Sequence, residues 1–206
     1  MYEELMPVRI AIFASGAGTN AREIIKYFHE AKHLVRGRPV EIALILCNRP
    51  GAGVFDVAAD AGIPSLLIEK EKFFRGNHYL AELKNVDITF IVLAGFLWKV
   101  PVPVIRAFPN HILNIHPALL PDFGGKGMYG DAVHKAVLAS GARVSGITIH
   151  YVDEQYDHGR MFFQANFNIQ PGETVESLAQ KIHALEYKYY PEQIARWIES
   201  KLSLNP

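Results

Sequence analysis

Short apolar runs alternate with amphipathic stretches through the first half of the chain. Val8–Ala14, Val40–Cys47, Ser65–Ile68 and Asp87–Ala94 are largely apolar and rich in branched side chains, which predicts buried strands. Thr19–Glu30, with Ile24, Ile25 and Phe28 on one face, predicts a helix, as does Val54–Ala61, which Gly62 ends. A further helix is expected around His78–Lys84 and a brief one over Val102–Phe108. Strand alternating with helix predicts a mostly parallel sheet covered on both faces, an α/β Rossmann-like arrangement. The order changes after residue 130. A helix over Asp131–Ala139 precedes two β-rich runs, Arg143–Val152 and Met161–Ile169, joined by the polar turn Asp153–Gly159. That pattern predicts an antiparallel C-terminal addition. Thr174–Ser200 reads as a long final helix with Thr174 as N-cap, and Pro191 is expected to kink or split it.

Two segments interrupt this pattern with chemistry. The first is the apolar run His111–His116, where Asn114 and His116 stand two residues apart. On a strand both side chains then point the same way, and Pro117 ends the strand because it supplies no ladder N–H. The second is Ser15-Gly16-Ala17-Gly18-Thr19-Asn20, which follows a strand and opens a helix. Its glycines allow close backbone approach, and a helix N-terminus suits a phosphate. With Ala21 the loop also fits the dinucleotide fingerprint. That fingerprint needs an acid at the end of the second strand, where Cys47-Asn48-Arg49 stands instead. Arg49 keeps NADP open. A phosphate monoester, a dinucleotide and a purely structural turn are the three readings of this loop.

Asp157-His158-Gly159 follows the strand that contains His150. An Asp near a His fixes its tautomer and favours its cation, while an amide and an imidazole both donate to a developing oxyanion. No activated nucleophile accompanies them, and the histidines at 111, 116, 134, 150 and 158 have no compact metal-ligand spacing. This points to transfer onto a nucleophile that the substrate brings, without metal.

Composition narrows the field. The 206 residues carry 21 basic and 21 acidic side chains, so no net charge argues for nucleic acid. Half of the chain is apolar, enough for a sizeable core. Cys47 is the only cysteine, which excludes an intrachain disulfide and fits a cytoplasmic setting. Met1–Pro7 carries two acids and no apolar core, so no signal peptide is expected, and no run reaches membrane-spanning length.

On these motifs, with Leu93-Ala94-Gly95-Phe96, Asn114-Ile115-His116-Pro117-Ala118-Leu119-Leu120-Pro121 and His150-Tyr151-Val152 ahead of Asp157, the chain resembles the phosphoribosylglycinamide formyltransferase family. The resemblance spans nearly the whole chain. It implies a single formyltransferase domain over 1–206, with a phosphate- and substrate-binding part over about 8–110 and a catalytic, folate-binding part over about 111–206. It implies formyl transfer from 10-formyltetrahydrofolate to the amine of glycinamide ribonucleotide, with no metal, by a monomer or homodimer. Asn114, His116 and Asp157 would be catalytic, Asn114 and a protonated His116 stabilising the oxyanion and Asp157 supporting the charged imidazole by raising its pKa. Gly18, Thr19 and Asn20 would bind the substrate phosphate, and Glu186 would contact the substrate. Arg75, Leu97, Trp98, Lys99, Val100 and Asn114 would hold the folate, largely through main-chain groups at 97–100. His183 stands where a Gln is frequent, and His158 replaces a common Gly. The rivals are a formyltetrahydrofolate hydrolase, an NADP-dependent oxidoreductase and a ligand-binding domain without catalysis.

Overall fold

The structure, a computed structural model, describes residues 6–75 and 78–203. The acidic stretch expected to carry no signal lies, over residues 1–5, outside the described residues. Eight strands form one sheet: β1 (Val8–Ala14), β2 (Leu34–Val35), β3 (Arg38–Cys47), β4 (Ser65–Leu67), β5 (Phe90–Leu93), β6 (Ile112–His116), β7 (Val144–Tyr151) and β8 (Met161–Asn168). Their order is β2-β3-β1-β5-β6-β7-β8, and β4 pairs with β3. The β3, β1, β5 and β6 ladders are parallel, whereas β7 and β8 add in antiparallel fashion. The predicted change of order after residue 130 is therefore a change of strand direction.

The helices are α1 (Thr19–Ile25, continued by a π-helical turn over Lys26–Glu30), α2 (Val54–Asp60), α3 (Lys70–Arg75), α4 (His78–Asn85), α5 (Val102–Ala107), α6 (Asp131–Ala139) and α7 (Val175–Leu202). They divide between the two sheet faces. On β1, Val8, Ile10, Ile12 and Ala14 join the layer beneath α1, α2 and α7. Ala11 and Phe13 face the opposite layer, with Phe73, Leu83 and Val104 from α3, α4 and α5. This is the period-two alternation of a strand buried on both sides.

Two expectations are corrected. The run over Asp87–Ala94 forms a strand only at Phe90–Leu93, because Asp87 adopts a left-handed φ of 51° and turns the chain. Pro191 does not split the last helix: α7 is assigned without a break over 28 residues. Tyr190, Ile194, Trp197 and Ile198 are fully buried on and after that point, and tertiary packing outweighs the missing N–H. Thr174 caps the helix as predicted, accepting a hydrogen bond from the Ser177 N–H. Among the described residues no helix is long and apolar enough to cross a membrane.

Candidate active site

β1 and β5 are neighbours, yet the chain runs from β1 outward to β3 and β4 before returning to β5. Such a switch in strand order opens a crevice at the carboxyl ends of the strands. A cavity of about 480 Å³ lies there, walled by Gly16–Asn20 after β1, Ala94–Leu97 after β5 and Asn114–Pro117 at the end of β6. Asp157, His183 and Glu186 complete it, with the glycine-rich segment 125–130 along one side.

The glycine loop is tied to its surroundings by backbone. Gly18 has φ +78°, and a Cβ there would sit 2.8 Å from Val54 Cα. Both facts demand glycine. Gly16 has open space where a Cβ would point, so room is left beside the loop. Ser15, almost fully buried, accepts the Leu97 N–H at 2.9 Å and so joins the β1 loop to the β5 loop.

Asn114, His116 and Asp157 come together at the cavity wall. Asn114 Nδ2 lies 3.0 Å from His150 Nε2 and 3.5 Å from Asp157 Oδ1. His150 stands directly opposite Asn114 in the β6–β7 register. Its Nδ1 donates to the Tyr151 carbonyl at 2.9 Å, so in the neutral ring Nε2 accepts from the Asn114 amide. His116 Nε2 donates to the Phe123 carbonyl at 2.8 Å, and its Nδ1 faces Asp157 Oδ2 at 3.6 Å. Asp157 Oδ2 also accepts the Gly125 N–H at 2.9 Å, which fastens the glycine-rich segment to the trio.

The charges follow from these contacts. Burial pushes Asp157 up, but His150, His116 and the Gly125 N–H together pull its carboxyl below the usual range. It is ionised at neutral pH. Burial pushes the His116 imidazole below the ordinary histidine value; Asp157 and the Phe123 carbonyl act in the opposite direction and offset only part. The expectation that Asp157 raises this pKa thus holds for the pair interaction and fails for the net shift. Desolvation of a nearly closed site outweighs one carboxylate that is not in hydrogen-bond contact.

At the other end, the buried Glu186 uses a single oxygen, Oε2, for two donors: Asn20 Nδ2 at 2.9 Å and His183 Nδ1 at 3.0 Å. The Glu186 hydrogen bond pushes His183 up. Asn20 Oδ1 and His134 Nδ1, both buried and both in residues lining the cavity, have no partner among the described residues.

The folate set divides. Leu97 and Asn114 line the cavity, and Trp98, Lys99 and Val100 do not. Val100 is buried in the core, Trp98 packs on Phe73 and Phe74, and Lys99 Nζ lies 6.0 Å over the Tyr156 ring. Arg75 is also outside the cavity: its side chain is 79% exposed and faces Glu71 at 3.9 Å. It sits on α3, next to Phe74, which packs on Trp98. Arg49 and Asn48 likewise do not line the cavity. His150, His134 and Ser15 were not picked out from the sequence as site members. The register opposite Asn114 was the signal for His150, and it needs the strand pairing to be read.

An α/β sheet thus carries a glycine loop and an amide–imidazole–carboxylate trio on one cavity at its switch point. Residues 8–194 match the family described as formyl transferase, and the chain belongs to that family. It is 40% identical over 199 residues to a phosphoribosylglycinamide formyltransferase named as chloroplastic from Arabidopsis thaliana, covering 94% of this chain and 66% of that protein. The corresponding Vigna unguiculata protein is also 40% identical, and the chain spans 62% of its length. The Bacillus subtilis phosphoribosylglycinamide formyltransferase is 35% identical over 190 residues, 90% of this chain and 92% of that one. The crystal structure of the Bacillus halodurans enzyme of that name superposes with a TM-score of 0.81 at 35% identity, covering 91% and 94% of the two chains.

Proposed function

We propose that this protein transfers the formyl group of 10-formyltetrahydrofolate to the amine of glycinamide ribonucleotide, a step of purine biosynthesis. The observation that carries this reading is the meeting of Asn114, His116 and Asp157 on a cavity that also holds the Gly18–Asn20 loop and Glu186. The loop takes the phosphate, and Glu186, whose Oε1 is not engaged by Asn20 or His183, accepts from the ribose. The unpartnered Asn20 Oδ1 and His134 Nδ1 support a polar ligand at that end. Leu97 and Asn114 flank the folate.

The reaction then runs as follows. The free amine attacks the formyl carbon on N10, and an oxyanion and a positively charged nitrogen form together. The Asn114 amide keeps one N–H on His150 and turns the other, held at rest only by the long 3.5 Å contact with Asp157, to the oxyanion. His116, neutral at rest, takes the proton from the new ammonium at Nδ1, directly or through a water. The resulting imidazolium faces ionised Asp157, which stabilises it. His116 returns that proton to N10 as the carbon–N10 bond breaks and the oxyanion collapses to the amide carbonyl. One proton thus passes from amine to N10, with neither metal nor covalent enzyme intermediate. Holding two substrates in register supplies much of the remaining acceleration. A reducing compartment such as the cytoplasm suits the lone buried thiol of Cys47.

The test is consumption of 10-formyltetrahydrofolate by the purified protein with and without glycinamide ribonucleotide. Consumption that requires the ribonucleotide is expected. Equal consumption without it would establish the hydrolase reading instead.

A further inference from the structure

α7 reaches the site at two points one helical turn apart. Glu186 projects into the cavity, and Tyr190, at i+4, lies beneath it on the same face. Tyr190 is fully buried, and its hydroxyl is 2.9 Å from the Leu93 carbonyl and 3.3 Å from the Leu113 carbonyl. Leu93 is the last residue of β5 and stands opposite Asn114, and Leu113 lies inside β6 opposite Val92. Past Leu93 the chain turns at Gly95, φ +71°, into the loop that carries Leu97. Past Leu113 comes Asn114 itself. Packing alone does not call for the hydroxyl, since phenylalanine would fill the same volume. The oxygen lets one proton be shared between the end of β5 and the peptide of β6 that leads into Asn114.

Resting on the formyl-transfer reading, we propose that Tyr190 is a positioning residue that sets the main chain of Asn114 against the β5 loop and against Glu186. The side chain of Asn114 is steered from one side by His150 and Asp157. Among the described residues, the Tyr190 bond to the Leu113 carbonyl is the hydrogen bond that ties α7 to the peptide leading into Asn114. Without the hydroxyl, the carbonyls keep only their β5–β6 ladder partners, and the hydrogen-bonded tie from α7 to both strands is lost. The oxyanion donor then moves relative to the formyl carbon. A displacement approaching 1 Å is costly in rate because the reacting atoms must meet in a narrow range of geometry.

Tyr190→Phe is the test. It is expected to lower kcat by roughly 10- to 100-fold, with the KM of either substrate changing by less than about threefold. A structural role alone would not produce the second part of the prediction. In an Asn114→Ala background the same change is expected to cost less than about twofold, because the group being positioned is gone. Wild-type kcat in Tyr190→Phe, or a full additive loss in the double variant, overturns the proposal. A substrate-free readout separates this from failure of the functional reading. Amide hydrogen exchange in segments 93–97 and 113–116 of the free protein should quicken in Tyr190→Phe, while β1 is unchanged. Unaltered exchange in both segments also overturns it. Absence of formyl transfer by the wild-type protein defeats the functional reading, and the exchange result then decides the role of Tyr190.

Discussion

Asn114→Ala removes the one neutral amide at the reaction centre. Its Nδ2 is held by His150 at 3.0 Å, which orients the amide, while the second N–H makes only a 3.5 Å contact with Asp157 that the oxyanion can replace. A preorganised oxyanion donor is worth about 10²–10³ in kcat, or about 3–4 kcal/mol of transition-state stabilisation. Ala would also leave His150 Nε2 and Asp157 Oδ1 without that donor. Asp157 borders the cavity, where water replaces that loss, whereas His150 is buried away from it, so the effect on folding stability is expected to be about 1–3 kcal/mol. The phosphate loop and Glu186 are separate from the change, so KM for the ribonucleotide should move less than about threefold. Steady-state kinetics with both substrates varied, beside a thermal melt, measure these quantities. A kcat within threefold of wild type would refute the oxyanion assignment. An equal rise in KM with unchanged kcat would make Asn114 a binding residue.

Asp157→Asn should abolish most activity while keeping the fold, and it should also shift the acidic limb of the kcat profile. His116 must be neutral to accept the amine proton, so activity falls as pH drops through its already lowered pKa; removing the Asp157 carboxylate lowers that pKa further and moves the limb to more acid pH. An unmoved limb would separate His116 from the profile. His183→Gln should flatten a different dependence: the Glu186 partner raises the His183 pKa, so a cation beside the phosphate loop is lost as pH rises through that raised value, and the ribonucleotide KM should climb there in the wild type only. The same climb in the Gln variant removes His183 from substrate binding. Gly18→Val meets both a φ of +78° and Val54 at 2.8 Å, and should weaken the ribonucleotide far more than folate; parallel losses would argue against a phosphate at this loop.

Much of the fold was legible because burial leaves a periodic trace. Val8–Ala14 and Asp131–Ala139 agree with the predicted bounds, the first as an unbroken apolar run and the second as a helical stripe. α3 was missed because Lys70–Arg75 is mostly charged and buries only Phe73. The two-residue β2 has no pattern to read at all. Pro191 misled because local propensity carries no information about the packing that holds α7 together. In the site, residues joined by short-range spacing were visible: Asn114 with His116, and the glycine loop. Those joined by strand register or helix docking were not. His150 meets Asn114 only through β6–β7 pairing, and Tyr190 reaches β5 and β6 from the far end of the chain. Arg75 was assigned by position along the chain, and the direction of a side chain on an exposed helix is invisible at that level.

The central claim is direct passage of the formyl group between two bound small molecules at Asn114, His116 and Asp157. A single turnover with isotopically labelled formyl on 10-formyltetrahydrofolate and excess glycinamide ribonucleotide tests it most directly. The account predicts that the label appears in the formylated ribonucleotide in step with tetrahydrofolate release, with none on the protein. Label trapped on the protein, or released as formate while the ribonucleotide stays unlabelled, would contradict it.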